Sequence, residues 1–355
     1  AECHDQKGAT EDYSSRSYLI RAWKSQDEWD KAMILAQESE VCVFGGYEAL
    51  PFEKERMRLN LLSFDMGERM LKRGWLNLAS PRILKMILAY HLGGWGKKPL
   101  YKLCCSSFAK EDQYKLLSFK NKCYKWGYFS HVPLNIETEN KNETYPDPLI
   151  PVKIMWCARL LKLKHPELVV EMAQILKKRG YNFSVDIYGD EGNATSSEEV
   201  YPLKDLKELV ENLDVSDVVT CHGSKPNNMI IEAMKSHDVF LFTSDNREGW
   251  GVVVNESMAN GCVVISSDVI GSTAYLVIDG YNGFGFKNCN VNDLSEKVMW
   301  LLDNPIEREK MRQNAIKYMQ ETWSPRHAAD SLLQLIDDLK NGRDSSILEG
   351  PCSKA

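Results

Sequence analysis

Two glutamates eight positions apart, Glu248 and Glu256, stand in the run Ser-Asp-Asn-Arg-Glu-Gly-Trp-Gly-Val-Val-Val-Asn-Glu-Ser-Met-Ala-Asn-Gly over residues 244–261. The short apolar runs on either side, 239–243 and 262–266, are β-branched or aromatic and bounded by turn residues, which predicts two buried strands. Between them, 251–260 has the length of a short helix, and Asn260-Gly261 supplies its C-cap. The unit is therefore strand, glycine-bearing loop, buried helix, strand. In such a unit the loop sits at the carboxyl edge of the sheet, where free N–H groups favour an anion. Glu248 falls in the loop and Glu256 in the helix. Carboxylates beside a phosphate-friendly edge suit a ligand carrying both phosphate and hydroxyls, such as a nucleotide sugar. An acid–base pair is the other reading of two such carboxylates.

A second chemical feature lies earlier. The run 153–165, Lys-Ile-Met-Trp-Cys-Ala-Arg-Leu-Leu-Lys-Leu-Lys-His, reads as a strand entering a loop with Arg159, Lys162 and Lys164. Cations at a strand's carboxyl end can neutralise a departing diphosphate, although a basic loop is also what solvated surface looks like. Residues 185–192 give another strand-to-glycine turn, with Gly189 inside it. His222, in Thr-Cys-His-Gly-Ser, fits a packed histidine as well as a ligand contact. No nucleophile–base pair stands out, and no Asp-x-Asp motif accompanies the site, so no metal and no further cofactor are expected.

These groups need a frame. The 355 residues are enough for two ordinary domains, and 43% hydrophobic with 26% charged residues is a soluble globular balance. The ten cysteines are scattered without a CxxC pair, which predicts buried free thiols in a reducing, cytoplasmic setting. The net charge of −6 is uneven: residues 54–134 carry roughly +11. That excess reads either as solvated helix faces or as a surface for an anionic partner, such as headgroups at the inner face of the membrane, a lipid diphosphate or an acidic glycan. Nucleic acid is not among the expected partners.

Along the chain, 1–16 is unpatterned and expected to be disordered. Strands are predicted at 17–23, 41–46, 61–64, 99–106 and 124–129, and helices at 26–39, 52–59, from 68 and at 109–117, with a basic amphipathic stretch at 81–91. The acidic, proline-punctuated stretch 135–151 is the linker. The alternation restarts with strands at 153–157, 183–188 and 218–222 and helices at 166–179, 203–213 and 227–235. Helices at 273–278, 294–302, 306–321 and 326–339 follow, and the polar tail from 341 is expected to be loose. Alternating strands and helices predict an α/β protein of two Rossmann-like, doubly wound domains, 17–134 and 152–322, with ligands in the cleft between them.

The second half resembles the donor-binding domain of the retaining family 4 glycosyltransferases of the GT-B fold, of bacterial polysaccharide type. The matching pieces run in order: Arg159 to Lys164, Tyr188-Gly189-Asp190, His222-Gly223, Glu248-Gly249-Trp250-Gly251 to Glu256, and Met258-Ala259-Asn260-Gly261. The first half is similar more loosely, through Lys120 to Phe129. The resemblance implies that Arg159 and Lys164 grip the diphosphate of a nucleotide sugar, UDP-linked by preference or GDP-linked. It implies that Glu256 holds the ribose, that Glu248 meets the transferred sugar, and that the amides of Gly249, Trp250, Gly251 and Val252 face sugar and phosphates, with Gly189 and His222 alongside. The sugar would pass with retention to a hydroxyl of a glycan or lipid-linked glycan. Trp323-Ser324-Pro325 would turn the helix 323–340 back to the first domain.

Some positions depart from the family. Ala158 stands where a glycine is usual, the loop 269–274 is poorer in glycine, and neither His91 nor His131 matches the first-domain histidine. The first domain is expected to lack its opening strand and loop. Two rival readings follow: a nucleotide-sugar-binding remnant without transferase activity, and a GT-B epimerase.

Overall fold

The computed structural model describes residues 16–72, 74–133, 150–192 and 199–355. The expected linker at 135–151 lies outside these up to residue 149, and the opening segment 1–16 up to residue 15.

The first domain alternates helices and strands. Its elements are α1 (Gln26–Glu38), β1 (Cys42–Gly45), α2 (Leu50–Leu59), β2 (Ser63–Gly67), α3 (Pro81–His91), β3 (Leu100–Cys104), α4 (Ala109–Lys115) and β4 (Cys123–Lys125). Ser25 opens α1 as its N-cap, its hydroxyl accepting from the Glu28 amide at 3.2 Å. The four strands are parallel and lie in chain order, β1-β2-β3-β4. Arg56, fully buried in α2, ties the layers together. It donates to the Ser63 hydroxyl at 2.8 Å and to the carbonyls of Ala36, Ser39 and Leu62 at 2.6–2.7 Å. Those bonds satisfy a guanidinium that burial would otherwise penalise heavily.

The second domain holds β5 (Val152–Cys157), α5 (Glu167–Lys178), β6 (Phe183–Tyr188), α6 (Leu203–Asn212), β7 (Val219–Gly223), α7 (Asn227–Ser236) and β8 (Val239–Phe242). It continues with α8 (Val253–Ala259), β9 (Val263–Ser267), α9 (Thr273–Leu276), β10 (Gly283–Phe286), α10 (Val291–Asp303) and α11 (Pro305–Glu321). All six strands are parallel, in the order β10-β9-β8-β5-β6-β7. The chain winds outward from β5 through β6 and β7, then crosses to β8 on the other side. The order thus reverses between β5 and β8, the position at which open α/β sheets bind ligands. Both faces are apolar. Ile154, Trp156, Val185 and Leu241 face α5 and α10, while Met155, Phe240 and Val264 face α8 and α11.

The last helix, α12 (Pro325–Lys340), returns to the first domain. Ser324 caps it by accepting from the His327 amide at 3.2 Å. Its buried Ala328 and Leu335 pack with Phe64, Leu103 and Tyr124 of the first sheet.

Four expectations need correcting. Residues 17–23 form turns, closed by the Leu19 amide on Arg16 O and the Lys24 amide on Arg21 O, with no strand partner. Residues 68–72 are not helical: the Leu71 amide bonds the Asp112 carboxylate at 2.8 Å, and a 3-10 turn follows at Gly74–Ala79. The strand Gly283–Phe286 was not foreseen, because alternating glycines hide its periodicity. The tail from 341 is not loose. Lys125 donates its amide to Ser353 O and accepts from the Cys352 amide, both at 2.8 Å, and Cys352 is fully buried. The segment thereby lines the edge of β4, antiparallel to it through the Tyr124–Lys354 bridge.

Candidate active site

The cationic loop leaves β5 and the glutamate-bearing loop leaves β8, so the two emerge side by side at the reversal of strand order. The chain folds this way locally because β8 is apolar at every position and ends in buried Thr243 and Ser244. The Thr243 hydroxyl donates to Lys164 O at 2.6 Å and accepts from the Trp156 indole at 2.9 Å, pinning one loop to the other.

Lys164 and Glu248, predicted from separate motifs, form a direct ion pair. Their side chains are only 14% and 16% exposed. The Lys164 ammonium also sits 5.3 Å above the Phe242 ring. Arg159 is exposed at the end of β5, its side chain beside Gly192. Glu256 lies inside α8, and burial raises its carboxyl above the usual range. Its charge is close enough to the Cys157 thiol, at the end of β5, to help burial push that thiol up to about 12.

The loop turn is held by a group of residues that spacing did not single out. Asp245 accepts from Arg247 at 2.7 Å and faces His165 Nε2 at 3.4 Å, while His165 Nδ1 faces Glu167 at 2.7 Å. Burial alone would raise the Asp245 carboxyl, yet Arg247 and His165 hold it below its ordinary value. Glu167 first, then Asp245, raise the His165 imidazole. Their proximity in sequence to Lys164 and Glu248 was the available signal.

Three of the predicted residues sit in settings that their motifs do not reveal. His222 stacks on Tyr188 at 4.6 Å and bonds Asp186 at 2.5 Å, and the other Asp186 oxygen bonds His237 at 2.9 Å. His237 first, and then His222, hold the Asp186 carboxyl low. His222 is thus tied to the sheet's end through Nε2, with its side chain 30% exposed. Trp250 is buried. Its indole donates to Asn255 at 2.8 Å, and Asn255 in turn donates to Tyr128 O of the first domain at 3.0 Å. Gly189 has φ +137°, and a Cβ there would lie 1.8 Å from Ala158 O, so only glycine permits β5 and β6 to end this close. Gly251 lies against Phe242 at φ +80°, and Val252 is exposed at the start of α8.

From the first domain, Glu68 reaches the same loop. It follows β2, pairs with Lys72 at 2.5 Å and accepts from the Tyr128 hydroxyl at 3.1 Å. A Cβ on Gly249 would lie 2.0 Å from its carboxylate. A carboxylate just past the carboxyl end of a strand is the signal that singled out Glu248, and Glu68 carries it too. We expect Gly249→Ala to cost roughly 1–2 kcal/mol by displacing Glu68, and to cost little when Glu68→Ala is already present. Urea denaturation of the four proteins of this cycle measures the coupling, and additive losses would show that the contact does not matter. The cavity of the first domain lined by Glu53, Asp65, Met86 and Tyr90 among others shares no lining residue with this cluster. Burial, then neighbouring Asp65, pushes the Glu53 carboxyl there well above its usual range.

Two parallel-sheet α/β domains facing each other across a cleft, with the second sheet's reversal point opening into it, define the GT-B fold. HepE from Anabaena, solved in complex with UDP, has this fold with a TM-score of 0.65 at 15% identity, over 87% of this chain and 82% of that one. A glycosyltransferase from Rickettsia africae aligns with a TM-score of 0.64 at 15% identity, over 93% and 84% of the two chains. The family described as Glycosyl transferases group 1 matches residues 138–318, about half the chain, and the protein belongs to that family. A D-inositol 3-phosphate glycosyltransferase of Corynebacterium aurimucosum is 25% identical over 190 residues, 53% of this chain and 44% of that protein. An uncharacterized glycosyltransferase of Methanocaldococcus jannaschii is 37% identical over 85 residues, 24% of each. The chain thus covers less than half the length of either relative.

Proposed function

We propose that the protein is a retaining glycosyltransferase that moves a sugar from a nucleotide diphosphate sugar to a hydroxyl of a glycan or lipid-linked glycan. The observation that carries this reading is the meeting of Lys164 with Glu248 at the β5/β8 reversal, with Glu68 facing them from the first domain. A diphosphate drawn to Lys164 and Arg159 competes with Glu248 for the ammonium. The carboxylate so released can accept hydroxyls of the transferred sugar. Glu256 takes ribose hydroxyls, with the amides of Gly249, Trp250, Gly251 and Val252 facing sugar and phosphates and Gly189 and His222 alongside. Loss of the nucleoside diphosphate is assisted by the two cations. The acceptor hydroxyl attacks from the face the diphosphate leaves, and its proton passes to a departing phosphate oxygen.

UDP is the preferred nucleotide: HepE has been solved with UDP and with UDP-glucose. A GDP-linked donor is the second choice. The same reading sets the cationic first domain against an anionic surface at the cytoplasmic face of a membrane. A thermal-shift screen of UDP-, GDP-, ADP- and dTDP-sugars, followed by turnover assays with and without glycan acceptors, tests the assignment. Stabilisation by one nucleotide sugar and acceptor-dependent release of its nucleotide are expected. Conversion of the sugar without any acceptor would favour an epimerase, and binding without turnover would favour a binding protein.

A further inference from the structure

Helix α3 carries two apolar stripes where a surface helix ordinarily carries one. The inner stripe, Met86, Ile87 and Tyr90, lines the cavity under the first domain. The outer stripe, Leu84, Leu88 and Leu92, runs at four-residue spacing through the end of the helix, and its members are 48%, 44% and 82% exposed. The 3-10 turn packed against α3 adds Trp75 and Leu76, exposed by 59% and 80%. Beyond the other end, where His91 bonds Leu116 O at 3.0 Å, Leu117 is 82% exposed. This is a continuous apolar ridge facing outward. Single exposed leucines need no explanation, but an aligned set flanked by an exposed tryptophan does.

Along this stretch of sequence the charge is of one sign. From Arg69 to Lys110 the sequence holds nine lysines and arginines and no carboxylate. Arg82, Lys85 and Lys97 are exposed within it, the first two lying over the Tyr47 ring at 5.5 and 5.9 Å. A second copy of the chain docking through this face would set the same cations against each other, since a two-fold contact pairs a patch with itself. Leucines on one line, tryptophan at their end and cations in the same stretch are instead the composition of a helix that lies in a membrane interface. No described helix is long and apolar enough to cross a bilayer.

We propose that α3 and the turn Gly74–Ala79 form a docking surface for an anionic phospholipid bilayer. Leu84, Leu88, Leu92, Trp75 and Leu76 enter the headgroup region, and Arg82, Lys85 and Lys97 engage lipid phosphates. The inference rests on the reading of the first domain as the part that meets an anionic surface, but not on glycosyl transfer itself.

The test is co-sedimentation of the full chain with vesicles of phosphatidylcholine alone or mixed with phosphatidylglycerol, at low and physiological salt. Binding is expected only to the mixed vesicles, weakening as salt rises. Leu84→Asn with Leu88→Asn should lower that binding by about tenfold or more, because both insertion points are lost. Arg82→Gln with Lys85→Gln should flatten the salt dependence. These positions are exposed, and circular dichroism checks that each variant is folded. Failure of the unaltered chain to bind mixed vesicles would overturn the proposal. So would equal binding by the leucine variant, or loss of self-association in that variant with no change in vesicle binding. UDP calorimetry on the same preparations keeps the outcomes apart: nucleotide binding without vesicle binding rejects this surface and leaves the transferase reading intact.

Discussion

Trp323→Ala is expected to lower the stability of the protein by about 3–5 kcal/mol, the cost of emptying a buried tryptophan site. Trp323 is 1% exposed at the turn into α12. Its ring stacks with Phe129 of the first domain at 6.0 Å and with Tyr275 of the second at 5.9 Å, and Trp250 lies 6.0 Å away. These rings form one apolar knot between the domains. Near it, Asn255 bonds Tyr128 O, the Ser107 amide donates to Gly271 O at 3.0 Å, and Gln320 donates to Pro133 O at 3.0 Å. Removing the ring should therefore also uncouple the domains. Calorimetric melting should show a lower midpoint and a transition split in two, whereas a single transition at an unchanged midpoint would refute the role assigned to the knot.

Lys164→Ala should weaken UDP binding by about 1.5–3 kcal/mol, the range for a hydrogen bond to a charged group. The substitution removes the cation nearest Glu248 and leaves that carboxylate without its partner in a mostly buried setting. Repulsion between Glu248 and the diphosphate then adds to the lost attraction. Glu248→Gln should have the opposite sign for nucleotide alone, because it releases Lys164 from competition, while reducing turnover of the sugar donor. Calorimetry with UDP on both variants decides the matter. Unchanged affinity for Lys164→Ala would remove Lys164 from the diphosphate site.

The second domain was legible in the sequence because its signals repeat: an apolar run, a glycine or cation at its end, then an amphipathic helix. Glu256 was singled out from its place in a short buried helix, and Lys164 and Glu248 from strand-end position and residue type. Their ion pairing was not, since 84 residues separate Lys164 from Glu248 and only the strand order brings them together. The side-chain settings of His222 and Trp250 are not encoded by their motifs. One is held by Asp186, and the other is buried by Asn255 and the first domain. Glu68 was read as the start of a helix, so its approach to Gly249 was not foreseen. The strand Gly283–Phe286 was missed because glycine contributes no side chain to a periodic pattern. The segment around Cys352 was read as loose for a related reason: its bonds are made by the backbone, and composition says little about those.

That backbone pairing bears on the order in which the molecule can be made. The Tyr124 hydroxyl bonds Asp344 at 2.8 Å across a separation of 220 residues, beside the strand edge lined by residues 352–355. During synthesis the first four strands leave the ribosome with β4 uncovered, and it stays so until the whole second domain has followed. Closing so long a loop is slow and entropically costly, and an uncovered strand edge is prone to pair with other chains. The first domain can therefore fold early but can only be finished last. Its assembly waits on that of its neighbour, so the competent cleft exists only once both halves are in place.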